Sequence, residues 1–451
     1  MHNGAAYTII LLALLTACSE LKTASVPHEP TTLTFLSRDW SQADEVQRAE
    51  TTTEEGQRAG ISVRYLPLPE PTLDQLALSR KLLEERGPVP DLVTVDVIWS
   101  GSLAPYLIDL RPYFAEEIAA LSPELVANYS VNGKVVALPA ATLMGILEYR
   151  RDLLNKYGYD HPPRTWNELE QMAERIQTNE RKQGRRDFWG YVWQGAAAEG
   201  LVCNGLEWQV SEGGGQIVED DGTVTVNNRA TVRAWQRGKR WIGWISPPSV
   251  TAYREIDALN AFDSGNVVFR RTWAGAVPGQ KWSWQAIGNQ WRRAIPAKDI
   301  GYTSLPSGTA ARVGTLGGVG IGVSRTSVHL QEGIEFVRLL FNMERKLNPE
   351  NALNRNPDEG PELRDLPDRF AEYDSGATSS KSLTVSRPSV ATGDKYEQIS
   401  SAYTVAIHSV LTGKNDAAAA LADLEKKLIA IMSSPTKSSQ SRLTVRQTAK
   451  P

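Results

Sequence analysis

Few residues in this chain could do covalent chemistry. Glycoside hydrolysis needs two carboxylates about 5–10 Å apart, and Asp96 and Glu207 are candidates for such a pair. The five histidines, His2, His28, His161, His329 and His408, are scattered without metal-ligand spacing. There is no G-x-S-x-G elbow and no P-loop. Gly318-Val319-Gly320-Ile321-Gly322 puts glycine at every second position, which does not match a dinucleotide fingerprint. No metal or cofactor is expected. Cys203 has no local partner for thiol catalysis and is expected to be a small buried apolar residue.

The residues point more to recognition than to reaction. The chain has 13 Trp against 8 Phe. An indole N–H needs a partner when buried, so a Trp excess suits a surface that stacks on something flat and half-polar, such as a sugar ring. More than half of the Trp are still expected in structural roles, Trp166 and Trp208 among them. Trp282, Trp284 and Trp291 lie in a polar, irregular stretch and fit either a site wall or a loop cover. A sugar has an apolar C–H face and an equator of hydroxyls. Aromatic rings bury the first, and charged planar groups chelate the second. Asp39 and Trp40 follow the first strand pattern, Asp96 and Trp99 end the third, and Trp273 follows Val267-Val268-Phe269. Ligands of open α/β sheets bind beyond such strand ends. Two structural alternatives stay open: Asp39 as a helix cap, and Asp96 as the closure of a turn.

The elements that would carry these residues follow from periodicity. Thr32–Leu36 alternates as a strand, Ile61, Val63 and Tyr65 mark a second, and Leu92–Val97 reads as a strand buried on both faces. With helix-length segments between them, the pattern implies an α/β domain with a parallel sheet. Thr165-Trp166-Asn167-Glu168 is a capping box, followed by Leu169, Met172, Ala173 and Ile176 on one helical face. Ile334, Val337 and Phe341 mark another helix. Ile399 to Val410 marks a third, stopped by Gly413, and Asp416–Met432 a fourth.

Residues Tyr7–Ala17 form an apolar run too short to span a bilayer, which needs about 20 residues. It reads as a signal peptide. Its end, Leu15-Thr16-Ala17-Cys18, is similar to a bacterial lipobox, so Cys18 is expected to carry the lipid that anchors the mature chain to a membrane. Met1-His2-Asn3 lacks the Lys or Arg usual at such a start. The net charge of −3 does not recommend a nucleic-acid partner.

Several stretches, in order, resemble the sugar-binding proteins of ABC importers, in particular their trehalose/maltose branch. They are Gly133-Lys134-Val135-Val136-Ala137-Leu138-Pro139; Tyr149–Leu154 with Pro162–Leu169; Phe188–Gly195 with Asn204, Glu207-Trp208 and Gly213–Gly215; Phe262–Gly265 with Phe269 and Trp273; Gly317-Gly318; and Arg387-Pro388-Ser389. The resemblance implies an α/β, two-lobe periplasmic-binding-protein fold with a hinged ligand cleft, no enzymatic activity, a monomer, and delivery of a sugar to importer transmembrane subunits. It divides the chain into a signal peptide at 1–17, a tether at 18–30, lobe 1 at 31–140 and 320–355, lobe 2 at 141–319 and 356–432, and a disordered tail at 433–451. The third passage between lobes falls in 351–374. It also implies that Trp273 stacks on sugar, Gly317 and Gly318 approach it by backbone N–H, and Arg387 donates to hydroxyls. Two positions depart from the family pattern: Val319 stands where a stacking Trp is common, and Leu143 where an Asp is common. A preference other than plain maltose or trehalose is the expectation.

Overall fold

The computed structural model describes residues 31–37, 59–68, 72–85, 90–273, 295–347 and 382–435. Thr31–Ser37 forms β1 and Ile61–Pro67 forms β2, paired in parallel. The helix α1 (Thr72–Glu84) follows, then β3 (Leu92–Asp96), every residue of which is buried. β3 lies parallel to β1 on its other side. A small hairpin, β4 (Ser130–Val131) and β5 (Lys134–Val135), precedes the long strand β6 (Leu138–Arg150). Next come α2 (Trp166–Lys182), β7 (Trp189–Val192), α3 (Glu199–Ser211) and α4 (Arg229–Trp241). After these run β8 (Val267–Trp273), β9 (Ile300–Ser304), β10 (Arg312–Val323) and α5 (Leu330–Leu347). The last elements are β11 (Ser382–Val385), α6 (Tyr396–Leu411) and α7 (Ala417–Ser433).

The sheet order β2-β1-β3-β10-β6-β8-β7 has β11 beside β10 and β9 beside β6. Two strands tie the molecule together. β6 begins at Leu138 in one hydrophobic core and reaches Leu147 and Tyr149 in another. β10 runs the opposite way, from Val313 in the second core to Leu316, Ile321 and Val323 in the first. The first core is built on β1–β3, α5 and the segment around Leu103–Tyr129. The second gathers α2, α3, α4, α6 and α7 around β7 and β8. These are the two lobes. Tyr396 at the start of α6 belongs to the first core, whereas Ile399 onward belongs to the second.

Local signals match their causes. The Thr165 hydroxyl accepts from Glu168 N at 3.1 Å, as the capping pattern predicts. Glu168, however, accepts from Arg164 N at 2.7 Å, one residue before the cap. Asp416 caps α7, and Gly413, at φ +73°, ends the turn after α6. Trp166 and Trp208 are buried in the second core, as expected. Six of the nine described Trp are fully buried, so the Trp excess builds core first. The expected third passage at 351–374, the tether, residues 436–451 of the expected tail, Cys18, Asp39, Trp40, Trp282, Trp284 and Trp291 lie outside the described residues, while Ser433 still belongs to α7.

Candidate functional site

The site is a matter of strand register. In antiparallel pairing, residues directly opposite share a face. Val319 of β10 lies opposite Asp96 of β3 on one side and Ala141 of β6 on the other. Two residues along, Gly317 lies opposite Leu143, and beyond it Gly145 lies opposite Trp273 of β8. With a period of two, one face therefore carries Asp96, Val319, Ala141, Leu143, Gly317 and Trp273 across the strands that join the lobes. Val319, Ala141, Leu143 and Trp273 are half-buried, while Thr142 and Met144 on the opposite face are buried. Helix α3 meets this same face further into the second lobe, where Glu207 lies against Gly145 and Thr315.

Trp273 ends β8 with its ring against Gly317. A Cβ on Gly317 would stand 2.7 Å from Cζ3 of the indole, so glycine is what lets the ring approach the strand. Gly318 has φ +115°, and a Cβ there would collide with the Ala141 carbonyl. Both glycines thus have a steric reason in the strand crossing itself.

The other expected residues distribute as follows. Asp96 is 9% exposed, and its Oδ1 accepts from Ile98 N at 3.3 Å, closing the turn after β3. It combines the structural alternative with a place in the row. Trp99 requires a correction. It is 0% exposed inside the first core, so no face of its ring is open for stacking. Arg387 is buried beside the row. Its Nη1 donates to Glu199 at 2.9 Å and its Nη2 to Leu316 O at 3.1 Å, whereas its Nε has no hydrogen-bond partner among the described residues. Burial works against its charge, yet nearby anionic groups including Glu199 and Asp96 raise its affinity for the proton well above the usual arginine range. Glu199 also accepts from Tyr396 and, at 2.5 Å, from Ser400. Nothing in the sequence around Glu199 signals this role, because its partners come from residues about 190 positions away.

Glu207, weighed as half of a hydrolytic pair, is engaged elsewhere. It is 1% exposed, its oxygens receive Nη2 of Arg271 at 2.6 Å and Nε at 3.1 Å, and Thr315 donates through both its N–H, at 3.1 Å, and its hydroxyl. A carboxylate so neutralised is poorly placed to serve as acid or nucleophile. Among the described residues no group of three or more metal-ligating side chains is gathered.

Cys203 is a buried free thiol one turn before Glu207. Burial pushes its thiol up to about 12. The thiolate is the reactive form, so Cys203 should resist iodoacetamide at pH 8 in the native protein and react fully in urea. Peptide mass spectrometry of the Cys203 fragment reads this directly, and rapid native labelling would contradict its enclosure.

Comparison with known proteins agrees with this architecture. The family model described as "Bacterial extracellular solute-binding protein" matches residues 44–346. A Deinococcus radiodurans protein named as a probable ABC transporter-binding protein is 37% identical over 382 residues, covering 83% of this chain and 87% of that one. Among solved structures, the maltose-bound MalE3 of T. maritima has a TM-score of 0.69 at 30% identity, covering 89% of this chain and 99% of that one. A Thermotoga lettingae solute-binding protein bound with α-D-tagatose has a TM-score of 0.71 at 20% identity, covering 89% and 100%. With two lobes joined by crossing strands, and with two thirds of its length matched by the family model, the chain belongs to the bacterial extracellular solute-binding protein family.

Proposed function

We propose that this protein captures a sugar, a di- or oligosaccharide, between its lobes and delivers it to the transmembrane subunits of an ABC importer. The observation that carries the reading is the half-exposed row at the strand crossing, with an indole plate at Trp273 and a carboxylate at Asp96 at its two ends. A plate and an acceptor on one face meet the apolar and hydroxyl sides of a sugar together. The maltose in the T. maritima structure supports the ligand class. Asp39 and Trp40, Gly317 and Gly318, and Arg387, whose Nε has no partner among the described residues, complete the proposed contacts. The protein works as a monomer, with no nucleic-acid partner.

Trp273→Ala tests the site. Losing an aromatic contact together with its buried area should weaken sugar binding by roughly tenfold or more. Calorimetry of wild type and variant measures it, and equal affinities would remove Trp273 from the site. Leu143 and Val319 make the middle of the row apolar, which favours a sugar with fewer free hydroxyls there over plain maltose or trehalose. The protein is a carrier and no hydrolase: the engagement of Glu207 by Arg271 and Thr315 supports this, and incubation with disaccharides should release no monosaccharide.

The protein works outside the cytoplasm, held to a membrane by lipid on Cys18. Among the described residues no helix is long and apolar enough to cross a membrane, which is compatible with anchoring by lipid. In a bacterial host Cys18→Ala should move the protein from the detergent phase to the aqueous phase. Identical partitioning of variant and wild type would remove the anchor.

A further inference from the structure

Arg271 and Trp273 are two residues apart on β8 and therefore point to the same face. The guanidinium carbon of Arg271 lies 3.9 Å from the centroid of the Trp273 ring, which is stacking distance. Arg271 is itself 0% exposed. Its Nη2 and Nε are held by Glu207 at 2.6 and 3.1 Å, and Nη2 also reaches the Thr315 hydroxyl at 3.4 Å. Glu207 is fixed in turn by the backbone N–H of Thr315 in the crossing strand β10. Room for this assembly comes from Gly145, opposite Trp273, where a Cβ would fall inside contact of both Glu207 Oε1 and Arg271 Nη2. The ring is thus bounded by a clamped cation on one side and by Gly317 at its benzo edge.

We infer that Arg271 is the positioning residue of Trp273: locked by Glu207 and Thr315, it fixes the indole so that one ring face alone is offered to the ligand. The inference rests on the reading of Trp273 as a sugar platform. A rigid plate loses no rotamer freedom on binding, whereas a free indole must be ordered by the ligand. The cation does not strengthen stacking on the opposite face, since it draws on the same π density. Its contribution is orientation.

The test uses Arg271→Lys, which keeps a charge opposite Glu207 but removes the planar fork, and Arg271→Met with Glu207→Met, which removes both charges together. Each is made in the full chain labelled with 5-fluorotryptophan, the Trp273 resonance being assigned by Trp273→Phe. Without sugar, the ¹⁹F resonance of Trp273 should shift and broaden in both variants while those of Trp208 and Trp241 stay in place. Calorimetry with the tightest binder among maltose, trehalose and their methyl glycosides should show a loss of about fivefold in Arg271→Lys, the cost of ordering one freed side chain. That loss should vanish when Trp273→Ala is already present, as expected for two groups acting as one unit. An unmoved Trp273 resonance, or the same fivefold loss in the Trp273→Ala background, overturns the positioning role. If Trp273→Ala alone binds as wild type does, the platform reading fails first, and the resonance separates the two failures.

Discussion

Arg271→Met alone should lower stability by about 3–5 kcal/mol, because it leaves the Glu207 charge buried and uncompensated. Arg271 and Glu207 are 0% and 1% exposed in their side chains. Burial opposes the arginine charge, and the Coulombic and hydrogen-bond contributions of Glu207 more than restore it, so its affinity for the proton is raised. The arginine therefore keeps its charge in the folded state. Removing both partners with volume-matched apolar residues should cost far less than removing one, since a buried pair adds little over well-packed hydrocarbon. Urea unfolding of Arg271→Met against the double Met variant measures the difference. Equal losses would mean that packing, rather than charge, governs this site.

Trp208→Ala should cost a similar amount, about 3–5 kcal/mol, for a different reason. Its ring makes edge-on contacts with Trp193 at 4.9 Å and Trp241 at 5.3 Å. Gly238 of α4 approaches it so closely that a Cβ would stand 2.7 Å from Cζ3. Such a void cannot be closed by movement of the neighbouring helix without breaking the other ring contacts. The thermal midpoint should fall while the affinity of the remaining folded protein for sugar is kept. Trp273→Ala should do the reverse. The pair of variants separates a core Trp from a site Trp, and a loss of affinity without loss of stability in Trp208→Ala would contradict the division.

That division is where the sequence was least legible. Strand and helix identities follow from period and capping, as at Leu92–Asp96 and Thr165–Glu168. Trp273 and the two glycines were found through resemblance. Trp99 is ambiguous, because a Trp at the end of a buried strand looks the same whether its ring turns toward the ligand or into the core; here it is fully buried in the first core. Glu207 stays open at the level of sequence, which reports a carboxylate but not its counter-charge 64 positions away. Glu199 carries no local signal, because its role is a product of three-dimensional partners. Spacing could have suggested one link, since Arg271 and Trp273 at i and i+2 on a strand must share a face.

The most direct test of the sugar-capture account is isothermal titration calorimetry of the purified protein against maltose, trehalose, and their methyl-substituted and longer relatives. The account predicts saturable one-to-one binding of at least one of these sugars, with a plain disaccharide outperformed by a substituted or longer one. Absence of saturable heat across the whole panel, from protein shown to be folded, would contradict it.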